Sequence, residues 1–223
     1  MITGAILDFD GTLFDSMHVW NKAGERYLFG KGRMPAPELK ERLKALSLFQ
    51  SACCLKEDYE LADSPQEIMA EINALVEEEY FFTVQPKVGV ADFLEGLRLR
   101  GVRMLIATAT ERYQVEAALK RCQLSHFFQD ILTCTQLGTS KTEPLIFQEG
   151  VRRLESRIPG TLVVEDALHA VQTAVAAGFP TLAVYDAFET RQEKLQELAD
   201  LYLHSYNNLQ PVWTYLSKIQ EEK

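Results

Sequence analysis

Five apolar runs of strand length recur along the chain: TGAILDF (3–9), VRMLIAT (102–108), DILTC (130–134), TLVVED (161–166) and PTLAVYD (180–186). Each is nearly continuous rather than alternating, which is the pattern of strands covered on both faces in a parallel sheet. Between them, VGVADFLEGLRLRG (88–101), ERYQVEAALKRCQ (111–123), EPLIFQEGVRRLES (143–156) and ALHAVQTAVAAGF (167–179) carry apolar residues at helical spacing. The first ends on Gly101 and the last closes on Gly178, as helices that stop in a left-handed turn do. Strand and helix alternate, so the pattern predicts an α/β fold with a doubly wound parallel sheet.

Residues 15 to 84 break that rhythm, being rich in helical patterns and poor in strand patterns. In SPQEIMAEINALVEEEYFF, Ser64 reads as an N-cap, Pro65 as the first helical residue and Glu67 as the partner that completes a capping box. The reading is a helical insertion after the first strand: residues 1–14 and 85–223 form the core, and 15–84 a small all-helical domain. The return runs through VQPKVGV (84–90), with Pro86 and Gly89 as hinge residues. The acidic run EEEY (77–80) reads as a solvated helix face.

Composition narrows the partners. The chain has 223 residues, 47% hydrophobic and 25% charged, and a net charge of −9. That charge, with no Lys/Arg cluster to offset it, disfavours nucleic acid and anionic membrane surfaces. No apolar run approaches the ~20 residues needed to span a bilayer and no signal-peptide pattern opens the chain, so the expected location is cytoplasmic. Cys53, Cys54, Cys122 and Cys134 lack metal-ligand spacing and read as packed thiols.

In an open α/β sheet, ligands bind beyond the carboxyl ends of the strands. Asp8 and Asp10 follow the first run, Thr108 and Thr110 the second, Lys141 the third, and Glu165 with Asp166 the fourth. Four carboxylates facing one crevice repel unless compensated, and a hard divalent cation with oxygen ligands is the economical compensation. Lys141 can neutralise a further charge or hold a phosphate.

These residues resemble the haloacid dehalogenase superfamily over essentially the whole chain. DFDGTLFDS is similar to its DxDGT opening, ATAT to its Thr/Ser strand end, SKTEPLIF to its lysine motif and VVEDALHAVQTAVAAGF to its paired acidic motif. Thr142, Ala167 and His169 depart from the usual residues there, but no charged member is lost. The insertion resembles the helical cap of the branch similar to beta-phosphoglucomutase and phosphoglycolate phosphatase. The resemblance implies that Asp8 is the nucleophile and Asp10 the general acid and base. It implies Mg²⁺ held by Asp8, the backbone carbonyl of Asp10 and Asp166, with Glu165 in support. Thr108, Ala109, Gly11 and Lys141 are then expected around the phosphate, and Asp15 and Ser16 at the cap hinge with a structural role. His18, Trp20 and Asn21, just past that hinge, are candidate substrate contacts. Trp20, Phe49 and Tyr59 are candidates for an apolar cap pocket, while Thr110 reads as a strand-end hydroxyl bonded to backbone. His126, His169 and His204 carry no assignment.

Within this resemblance, Asp10 argues against dehalogenation, whose leaving group needs no proton, and against phosphonate cleavage. Phosphate ester chemistry remains, as hydrolase or as mutase. In KALSL (44–48), Leu48 stands where mutase relatives carry a phosphate-binding arginine, which favours a hydrolase of a small monophosphorylated metabolite, although Lys44 or Arg42 could substitute. A phospho-aspartyl switch is the non-enzyme alternative, disfavoured by Asp10. Monomer and homodimer are both open.

Overall fold

The computed structural model describes residues 1–43 and 46–221, with the side chains of 220 and 221 left out of account. Six strands, β1 (Gly4–Leu7), β2 (Arg103–Thr108), β3 (Phe128–Thr133), β4 (Thr161–Glu165), β5 (Thr181–Val184) and β6 (Leu201–Leu203), form one sheet. Every pairing is parallel, in the spatial order β3-β2-β1-β4-β5-β6. β1 lies at the centre between β2 and β4, so the chain's direction of winding reverses there and a crevice opens beyond its carboxyl end.

Alternate strand residues divide between two cores. Ala5, Leu7, Ile106 and Val164 face one apolar cluster, while Ile6, Leu105, Ala107 and Val163 face the other. Both faces are buried, which is why the runs are continuous in sequence.

Between β1 and β2 lie α1 (Met17–Gly30), α2 (Leu39–Leu43), α3 (Leu48–Tyr59), α4 (Pro65–Glu78), a π-helical turn (Glu79–Thr83) and α5 (Val90–Leu99). The capping box on α4 is formed: Ser64 Oγ accepts from the Glu67 amide, and Glu67 accepts from the Ser64 amide at 2.7 Å. α3 has a second box, from Ser47 and Gln50. The apolar faces of α1, α3 and α4 (Val19, Ala52, Leu55, Ile68, Ile72, Val76) join the same cluster as one face of the sheet. The remaining helices are α6 (Arg112–Arg121), α7 (Cys134–Leu137), α8 (Leu145–Arg153), α9 (Leu168–Ala176), α10 (Gln192–Leu198) and α11 (Gln210–Glu221).

Pro86 and Gly89, expected from sequence as hinge residues, sit in different surroundings. Phe14 bridges to Pro86, and the Asp15 amide donates to Gln85 O at 3.0 Å, so the outgoing and returning chains are pinned side by side. Gly89 has φ +89, and a Cβ there would meet Tyr206 O at 2.7 Å, so both conformation and space require glycine. Among the described residues no helix is long and apolar enough to cross a membrane.

Candidate active site

β1 ends at Leu7, and the next four residues turn sharply. Phe9 O accepts from the Leu13 and Phe14 amides, and the Gly11 amide donates to Phe14 O at 2.9 Å. Gly11 takes φ +75, and a Cβ on it would lie 2.5 Å from Asp166 Oδ2. The loop after β1 therefore touches the loop after β4. Thr12 seals that approach by donating from Oγ1 to Asp166 Oδ1 at 2.8 Å.

Asp8, Glu165 and Asp166 are all buried, and each offers a carboxylate oxygen within 4.8 Å of the others. Lys141 reaches in from beyond β3; its buried ammonium donates to Asp8 Oδ1 and, at 2.5 Å, to Glu165 Oε1. One ammonium against three buried carboxylates leaves the cluster short of positive charge. Burial, followed by the Asp8 charge, pushes Asp166 well up; burial does the same to Glu165, with Lys141 opposing. Glu165 Oε2 is buried without a hydrogen-bond partner. An orphaned carboxylate oxygen in an all-oxygen acidic cluster is what a hard divalent cation satisfies, so the residues present fit Mg²⁺. A fifth carboxylate, Asp186 after β5, is buried nearby and matched by Lys87 at 3.0 Å.

Asp10 occupies different surroundings. Its Oδ1 accepts from Ser16 Oγ at 2.6 Å and from Tyr80 OH; its Oδ2 accepts from Thr110 Oγ1 at 2.6 Å and from Thr108 Oγ1 at 3.5 Å. Desolvation raises its pKa, the Asp8 charge raises it further, and the hydroxyl donors oppose both. Two carboxylates two residues apart are thus held in opposite environments, Asp8 beside a cation and Asp10 among neutral donors.

The sequence reading underestimated three of those donors. Ser16 precedes α1 at the N-cap position but makes no capping bond; its hydroxyl is turned to Asp10 instead. Thr110 supplies its hydroxyl to Asp10 and not to backbone. Tyr80, taken as part of a solvated acidic face, is completely buried. The available signal was the stripe Ile68, Ile72, Val76, Tyr80, one residue every four, all of which are buried.

A cavity of about 230 Å³ opens over these groups. Asp8, Asp10, Thr108, Ala109, Lys141, Glu165 and Asp166 line its floor, and Met17, Trp20, Asn21, Leu43, Leu46 and Leu48 are among the residues of its walls. Trp20 and Asn21 therefore face the cavity. His18 is exposed and does not line it, Phe49 is 45% exposed, and Tyr59 accepts the Ala36 amide at 2.7 Å away from the site. His169, without an assignment from sequence, lines the wall, as does Cys134. Of the KALSL stretch, Lys44 and Ala45 lie outside the described residues, and Arg42 is paired with Asp58 at 2.6 Å.

Fold and site together define a doubly wound α/β enzyme with an acidic crevice at its central strand and a helical insertion over it. The chain belongs to the haloacid dehalogenase-like hydrolase family, whose model matches residues 5–184. Phosphorylated carbohydrates phosphatase of Thermotoga maritima is 23% identical over 173 residues, which cover 78% of this chain and 80% of that protein. The bifunctional riboflavin kinase/FMN phosphatase of Arabidopsis thaliana is 24% identical over 213 residues, 90% of this chain and 55% of that protein, so this chain spans about half of that relative's length. The crystal structure of a beta-phosphoglucomutase from Clostridium difficile superposes with a TM-score of 0.82 at 19% identity, covering 100% of this chain and 98% of that one, and shows the shared fold. Relatives named as phosphatases support a phosphoric monoester hydrolase.

Proposed function

We propose that the chain is a Mg²⁺-dependent phosphatase that hydrolyses a small phosphorylated metabolite through an aspartyl-phosphate intermediate, with residues 15–84 as cap over a core of 1–14 and 85–223. The observation that carries this reading is the contrast between Asp8, ion-paired with Lys141, and Asp10, ringed by hydroxyls. An ionised Asp8 attacks phosphorus, and the ester P–O bond breaks with its electron pair going to the leaving oxygen, which takes a proton from Asp10. Water then attacks the same phosphorus and gives its proton to Asp10, while the Asp8–phosphorus bond breaks and returns the carboxylate. Lys141 balances charge on Asp8 and the transferred group, and Thr108 and the Ala109 amide region bound the phosphate side of the cavity. Asp8, the Asp10 carbonyl and Asp166 would hold Mg²⁺, with Glu165 in support; the ion supplies electrostatic stabilisation of the phosphoryl oxygens.

The cavity walls favour hydrolysis of a monophosphate over a mutase. A mutase must grip a second phosphate, yet the cations lining this cavity among the described residues are Lys141, engaged at the floor, and Lys40, 3.3 Å from Glu25. Leu43, Leu46 and Leu48 present hydrocarbon instead.

The test is phosphate release from a panel of phosphorylated sugars, nucleotides and short-chain acids, with and without Mg²⁺. Metal-dependent release from one class is expected. Isomerisation of a hexose phosphate primed by a bisphosphate, without net release, would move the assignment to a mutase.

A further inference from the structure

Tyr80 is separated from Asp10 by 70 residues and comes from the returning connection of the helical insertion. Its hydroxyl donates to Asp10 Oδ1 and accepts from Trp20 Nε1 on α1, at the start of the insertion. Ser16, on the outgoing connection, donates to the same carboxylate oxygen. The ring of Tyr80 stacks on Phe9, 6.0 Å between centroids, and Phe9 stacks on Phe14 at 4.2 Å. Arg121 on α6 donates to the Tyr80 and Val84 carbonyls, which fastens the π-helical turn to the core. A π-turn inside a helical run shifts the side chains that follow it and is often kept where one of them has a task.

We infer that Tyr80 is a positioning residue for Asp10: with Ser16, it holds the acid/base carboxyl in one orientation from both connections of the insertion, so that the proton meets the leaving oxygen only when those connections are correctly seated. Thr110 holds Oδ2 from the core side. Without Tyr80 and Ser16, Oδ1 has no donor from either connection, and a misdirected proton donor forfeits much of the roughly 10²–10⁴-fold that general acid catalysis contributes. Trp20 fixes the Tyr80 hydroxyl in turn, because its N–H occupies the acceptor side and leaves the O–H to point at Asp10.

This role rests on the phosphatase reading, and a comparison of two esters separates it from a merely structural one. An alkyl phosphate leaves as an alkoxide that must be protonated; p-nitrophenyl phosphate leaves as a stable phenolate that need not be. The value of kcat/KM reads phosphoryl transfer to Asp8 and excludes the later hydrolysis. Tyr80→Phe is expected to lower kcat/KM on the alkyl ester by about tenfold or more and on the nitrophenyl ester by less than about threefold. Equal losses on both esters, or no loss on either, overturn the role. Ser16→Ala, which removes the other donor to Oδ1, is expected to show the same split and keeps the test decisive if melting shows Tyr80→Phe to be unfolded. A parent enzyme that releases phosphate from neither ester nor any compound of the panel above overturns the phosphatase reading itself, and the role falls with it.

Discussion

Thr12 and Asp166 stand 154 residues apart and meet through a 2.8 Å hydrogen bond from Thr12 Oγ1 to Asp166 Oδ1, in the buried seam between the loops after β1 and β4. That bond fixes the carboxylate that the metal reading needs most. Partners of this kind behind a metal ligand typically govern affinity by about 10–100-fold. Thr12→Val, which keeps the shape and removes the donor, is expected to weaken Mg²⁺ by that factor, read by titration calorimetry and by the Mg²⁺-dependent rise in melting temperature. Unchanged affinity would mean that Asp166 does not carry the ion.

Gly11 lies in the same seam with φ +75 and Asp166 Oδ2 2.5 Å from where a Cβ would sit. Gly11→Ala combines an unfavourable backbone region with a buried clash, and it should cost more than about 1 kcal/mol of stability. Urea unfolding checks this; a variant as stable as the parent would show that the turn can relax without the glycine.

Lys141 is buried against Asp8 and Glu165. Removing one partner of a buried ion pair strands the other, at about 3–5 kcal/mol. Lys141→Met should lose stability on that scale in metal-free buffer, and added Mg²⁺ should restore part of it, because the cation faces the same carboxylates. Loss of stability with no response to Mg²⁺ would argue against cation binding at this cluster.

The Cys134 thiol lines the cavity, and burial pushes its pKa up to about 11. A raised thiol pKa keeps the sulfur protonated and unreactive across neutral pH, with thiolate forming only as pH climbs towards 11. Iodoacetamide labelling of Cys134, followed by peptide mass spectrometry, should be slow at pH 7 and remain slower than at half-buried Cys53. Rapid labelling at neutral pH would contradict a buried, inert thiol.

The central sheet was legible because its strands are buried on both faces: GAIL, RMLIAT and TLVVE leave no polar gap that could hide them. β6 escaped notice because it has three residues, of which Leu201 and Tyr202 are partly exposed, too few to set a period. The floor residues were legible for a different reason. Thr108 and Glu165 end β2 and β4, Asp8 and Asp166 follow strand ends directly, and Lys141 lies in the connection after β3, past α7, so chain order places all five at one end of the sheet once it is parallel. Residues supplied by the insertion had no such address. Ser16 read only as a hinge residue with a structural role, and Tyr80 followed three glutamates whose charge obscured the Ile68–Ile72–Val76 stripe it continues. His18 and Asn21 illustrate the limit: they are three residues apart on α1, yet Asn21 lines the cavity while His18 is exposed, and the hydrophobic pattern of that helix is too mixed to say which face turns inward.

In the proposed mechanism Asp8 forms a covalent bond to phosphorus. The most direct measurement is rapid acid quench of the Mg²⁺-loaded enzyme during turnover, followed by borohydride reduction and peptide mass spectrometry across residues 1–20. An acyl phosphate should be reduced to homoserine at position 8 in the parent and at no position in Asp8→Asn. Turnover that proceeds with position 8 unmodified at every quench time, or an Asp8→Asn variant as active as the parent, would contradict it.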